Sequence, residues 1–165
     1  MKKLIVLSAI AALTSGAALA QSINLTGNVD SICNVSTIGS SSASFAELVV
    51  GTPDVNIGVE IQCNDPDGAT VSLITSEGHL QNADQEDKGV GYWATLDAAP
   101  FNFTLKADDG QNDKPNSQTI LKTETAKVAA LAKGVSGNIT LSLKETALFS
   151  GTYADTLAFV ITVGN

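Results

Sequence analysis

From residue 21 onward the chain alternates apolar and polar side chains with a period of two, and this pattern restricts it to strands with one dry face each. Ile23, Leu25, Gly27 and Val29 fall on one face, opposed by Ser22, Asn24, Thr26 and Asn28. Val55, Ile57, Val59, Ile61 and Cys63 repeat the pattern, as do Phe101, Phe103 and Leu105, then Ile139, Leu141 and Leu143. A last run carries Tyr153, Asp155, Leu157, Phe159, Ile161 and Val163 on one face. Shorter strand candidates cover 32–38, 43–50, 69–75 and 91–96. Between them stand turn-forming clusters: Gly39-Ser40-Ser41-Ser42, Asn64-Asp65-Pro66-Asp67-Gly68, Asp108-Asp109-Gly110 and Ser150-Gly151. Many short alternating strands punctuated in this way predict an all-β antiparallel sandwich. The Ala- and Lys-rich stretch 123–133 stays open between a short helix and an irregular strand. No repeat, long linker or charge block points to a second domain.

The first twenty residues follow a different rule. Lys2 and Lys3 precede an apolar run from Leu4 to Leu13 that only Ser8 interrupts, and Ala18-Leu19-Ala20 forms a small-residue cleavage pattern before Gln21. The run is too short to span a bilayer as a helix. Residues 1–20 are therefore expected to be a signal peptide, and residues 21–165 an exported chain. Losing Lys2 and Lys3 takes the net charge from −8 to −10, and no Arg is present. Such a surface repels phosphate backbones and anionic lipid, so neither nucleic acid nor membrane insertion is expected. Two cysteines, Cys33 and Cys63, allow one intramolecular bridge, and outside the cytoplasm that bridge persists.

The residues offer little chemistry. His79 is the single histidine; in Glu77-Gly78-His79 it reads as an exposed loop residue, and no G-x-S-x-G elbow accompanies it. Carboxylates concentrate in turn-like runs, and neither 64–68 nor 108–113 has the ligand spacing of a calcium loop. No catalytic residue, cofactor or metal is expected.

The segment 21–29 is the informative one. Its dry face reads Ile23, Leu25, Gly27, Val29, and a glycine within a strand marks a bulge or a close approach to another backbone. On the residues alone, an ordinary first strand and a strand made for another molecule remain equally open. The run Ile23-x-Leu25-x-Gly27-x-Val29 followed by Cys33 resembles the N-terminal extension and first cysteine of chaperone–usher pilins. Cys63 stands, as in those proteins, at the end of the next long strand. The ending Gly151-Thr152-Tyr153-Ala154-Asp155-Thr156-Leu157 is similar to that of pilin-like and spore-coat-U-like secreted domains.

The resemblance implies an immunoglobulin-like sandwich over 31–165 that lacks its final strand, with 21–30 as a donor extension. It implies donor residues Ile23, Leu25, Gly27 and Val29, and a groove lined by Leu157, Phe159, Ile161 and Val163. The partners it implies are copies of the chain or other pilin subunits, a periplasmic chaperone and an outer-membrane usher. The place it implies is a fimbrium on the cell surface. One residue departs from the pattern: Gly164 stands where many pilins carry a penultimate Tyr. The alternative expectation is a self-complete secreted sandwich, a surface or spore-coat-like protein, with 21–29 folded onto its own domain.

Overall fold

The computed structural model describes residues 24–85, 88–108 and 121–164. In chain order the strands are β1 (Cys33–Ile38), β2 (Val55–Cys63), β3 (Ala69–Thr75), β4 (Leu80–Asn82), β5 (Gly89–Val90) and β6 (Tyr92–Ala98). They continue with β7 (Phe101–Ala107), β8 (Leu121–Ala126), a 3-10 helix (Ala129–Lys133), β9 (Val135–Leu143), β10 (Tyr153–Ala154) and β11 (Leu157–Val163).

These strands build an antiparallel sandwich. One sheet has the order β1-β2-β9-β6-β7, the facing sheet the order β11-β3-β8, and a small third sheet the order β10-β4-β5. Every pairing among the described residues is antiparallel. The core lies between the two main sheets, where the alternation of the central strands places Val59, Ile61, Val71, Leu73, Leu96 and Leu105 fully out of solvent. Each such side chain contributes about 1.5–3 kcal/mol from its burial. β3 shows the pattern in its purest form, with Ala69, Val71, Leu73 and Thr75 buried and the intervening residues half-buried. At one flank of the sandwich, the Asn102 amide of β7 donates to the Glu124 carboxylate of β8 at 3.0 Å.

Several expectations need correction. Residues 43–50 form no strand, the chain bending at 46–49 and turning at 50; Phe45 and Leu48 turn inward as isolated half-buried side chains. The stretch 123–133 is both of its alternatives in succession, the end of β8 and then the 3-10 helix, whose Leu131 is fully buried. The final run breaks at Asp155 and Thr156, because those residues turn the chain from the small sheet into the main one. β4 and β5, at three and two residues, are too short for alternation to register.

Candidate functional site

β1 and β11 are the edge strands on the same flank of the sandwich, one in each main sheet, and each pairs on one side only. Their inward residues are less covered than those of the neighbouring strands. On β11, Leu157, Phe159 and Ile161 are half-buried and pack against the core, while Val163, next on that face, is exposed. Directly beside them on β3, the inward residues are fully buried. On β1, Cys33 and Val35 are half-buried and Thr37 is exposed. Along β2 the inward positions pass from half-buried Val55 and Ile57 to buried Val59, Ile61 and Cys63. On β1 and β2, cover is therefore lost toward the end of the flank where β1 finishes and β11 begins, whereas on β11 the exposed inward position is Val163 at the other end.

A groove of about 500 Å³ occupies that place. Leu157 and Phe159 form one wall, Thr37 and the bends around Phe45 and Leu48 the other, and Ile57 and Leu141 contribute to the floor. At the opposite end of the flank the two edges are tied together. Cys33 and Cys63, direct partners in the β1–β2 register, form a disulfide. Sγ of Cys63 lies 3.4 Å from the Gly68 carbonyl oxygen, and the Gly164 amide donates to that same carbonyl at 2.9 Å. Gly164 is buried there, and a Cβ at this position would overlap the Asp67 carbonyl oxygen.

The corner that launches β11 is held by polar contacts. Asp155 Oδ1 accepts from Ser76 Oγ at 2.9 Å and from the Glu77 amide at 3.0 Å, and Oδ2 accepts from the Tyr92 hydroxyl at 2.7 Å. Burial first, then the hydrogen bond and the negative charge of Asp155, push the ionisation of Tyr92 well above the ordinary tyrosine value. Tyr92 thus stays a neutral donor. The Tyr153 hydroxyl donates to the Phe149 carbonyl four residues upstream at 2.8 Å, closing the corner on itself.

The leading segment takes no part in either sheet. Residues 24–32 form no strand, and Leu25 and Val29 are 91% and 84% exposed. Among the described residues, a Cβ on Gly27 would meet nothing within 4 Å. Ile23 lies outside the described residues. Among the described residues the segment is fastened where it joins β1, through the side chain and backbone amide of Asn64. Sequence reasoning assigned Asn64 to a turn and nothing more. A turn it is, with the Asp67 amide donating to Asp65 Oδ1 at 2.8 Å and the Gly68 amide to the Asp65 carbonyl at 3.0 Å.

His79 is not an exposed loop residue. It is 3% exposed and packs so closely on Gly89 that a Cβ there would overlap its ring. Neither ring nitrogen has a hydrogen-bond partner among the described residues. Among those residues no three His, Cys, Asp or Glu side chains converge on a possible metal position. None of the described helices is long and apolar enough to cross a membrane. Comparison of the sequence with protein-family models and with curated proteins finds no match.

Proposed function

We propose that the chain is an exported pilus-type subunit whose groove receives residues 21–29 of another copy, so that its function is assembly by strand donation. One observation carries this reading: a single chain has both a groove beside the unpaired edge of β11, walled opposite by Thr37 at the end of β1 and the bends around Phe45 and Leu48, and an alternating segment whose described apolar residues Leu25 and Val29 its own domain leaves exposed. An open sheet edge is an aggregation hazard unless it is blunted, covered or paired, and β-augmentation by an extended segment pairs it. Ile23, Leu25 and Val29 are the anchors, and Gly27 allows close backbone approach where the groove narrows. Three large side chains at about 1.5–3 kcal/mol each supply about 5–9 kcal/mol before ordering costs.

Further support comes from the corner at Tyr153. A tyrosine hydroxyl bonded to backbone a few residues upstream, just before a long strand, is a hallmark of immunoglobulin-like sandwiches. The leader-like residues 1–20 and the Cys33–Cys63 bridge suit a chain that folds outside the cytoplasm. A periplasmic chaperone that covers the groove before assembly, and an usher that exchanges it for the next subunit, complete the proposed set of partners.

The test compares residues 21–165 with the same chain lacking 21–29. On a detergent gel without heating, the longer chain should give a ladder of oligomers that collapses on boiling, and the shorter one should give none while remaining folded. A longer chain that stays a lone particle, with 23–29 protected from hydrogen exchange, overturns strand donation in favour of a self-complete sandwich.

A further inference from the structure

If strand donation is the function, each subunit faces a competitor within itself. The leading segment is joined directly to β1, which forms one edge of its own groove, and a short tether gives such a segment a millimolar effective concentration there. Self-insertion would require the chain to reverse between Val29 and Cys33 and run back beside β1 as a hairpin. Asp30-Ser31-Ile32 is long enough for that turn and has turn-forming residues in it.

The backbone groups that such a turn needs are already engaged. A four-residue turn over 29–32 closes through the Ile32 amide, and this amide donates to Asn64 Oδ1 at 2.7 Å. The turn one residue further on would use the Asp30 carbonyl, which accepts from Asn64 Nδ2 at 2.8 Å. The Asn64 amide itself donates to the Ile32 carbonyl at 2.9 Å, extending the β1–β2 ladder beyond the disulfide. One side chain and its own backbone thus hold Asp30 to Ile32 on the β2 side of β1, away from the groove.

We propose that Asn64 is a positioning residue that blocks fold-back and reserves residues 21–29 for a second copy of the chain. Asparagine suits the task because one planar amide presents an acceptor and a donor together, meeting an N–H and a C=O two residues apart.

The experiment uses the chain 21–165, its Asn64→Ala variant, and a variant with two glycines inserted between Asp30 and Ser31. The insertion lies in an exposed segment, so it uncouples the Asp30 and Ile32 contacts without disturbing the core. Light scattering after size exclusion reads the monomer fraction, and hydrogen exchange reads protection of 22–29. Loss of the two hydrogen bonds should raise the monomer-to-polymer ratio about tenfold or more in both variants. The new monomers should show 22–29 protected. Polymerisation by both variants at the wild-type level, with no protected monomer, overturns the role of Asn64 while leaving strand donation standing. A wild-type chain that never polymerises overturns strand donation and the guard together.

Discussion

The Tyr92 hydroxyl of β6 donates to Asp155 Oδ2 at 2.7 Å, joining the five-stranded sheet to the corner from which β11 departs. Because Asp155 also accepts from Ser76 and Glu77 at the end of β3, three parts of the chain far apart in sequence converge on one carboxylate. The direction of β11, and with it the wall of the groove, depends on this junction.

Tyr92→Phe keeps the ring and removes the donor. A hydrogen bond to a charged group is worth about 1.5–3 kcal/mol, so chemical denaturation at pH 7 should show a loss of that order. The pH dependence has a definite sign. The folded-state ionisation of Tyr92 is raised above its unfolded value of 10.0, so its stabilisation is complete below that pH. Above it the unfolded chain releases the proton while the folded one retains it, and stability falls as pH rises. The gap between wild type and Tyr92→Phe should therefore narrow above about pH 10. A constant gap from pH 7 to 11 would contradict the buried hydrogen bond.

Removing the bridge by a paired Cys33→Ser and Cys63→Ser change frees a loop with a sequence separation of 30. The chain-entropy estimate for a loop of that size is about 3–4 kcal/mol. Thermal unfolding should record a lower midpoint, and reduction of the wild type with dithiothreitol should move it in the same direction.

Gly164→Tyr places the residue common in pilins at a position where even a Cβ overlaps the Asp67 carbonyl. The last residues must then shift, which breaks the Gly164–Gly68 hydrogen bond that ties β11 to the 64–68 turn. A stability loss of about 1–3 kcal/mol is expected, of the size that overpacking produces. Gly164→Ala should show part of the same loss; equal stability of all three chains would contradict the close packing.

Gly27→Trp separates folding from assembly. Among the described residues nothing lies within 4 Å of a Cβ at Gly27, so denaturation of the variant should match wild type within about 0.5 kcal/mol. If strand donation as proposed holds, with Gly27 in close approach to a partner's backbone, oligomers should nevertheless disappear, because an indole cannot make that approach. Leu25→Asp should act in the same way, with unchanged monomer stability and lost assembly. Normal ladders from either variant would count against the proposed function.

Much of the sandwich is legible in the amino-acid sequence. The alternation from Val55 to Cys63 became β2 residue for residue, and Phe101–Leu105 and Ile139–Leu143 became the inward faces of β7 and β9. The failures share a cause. Phe45 and Leu48 belong to no strand, yet they are apolar and face inward, so local pattern could not separate them from a strand. His79 follows a glycine in a polar neighbourhood and looked solvated, but the β4–β5 hairpin closes Gly89 over it. Asn64 was hidden among turn residues because its role depends on a segment more than thirty positions upstream.

A period of two is a local property, set by which way each side chain leaves the backbone, and so the amino-acid order alone decided which residues would face inward along β2, β7 and β9 once those strands formed. It also placed two cysteines on faces that could meet. Which strands became neighbours was settled only by long-range pairing. Leu73 and Phe159 obey the same alternation and lie opposite each other on adjacent strands, yet one is fully buried and the other half-buried. The difference arises because β3 is flanked on both sides and β11 on one. Burial depends on what stands beside and across from a strand, and no local pattern encodes that.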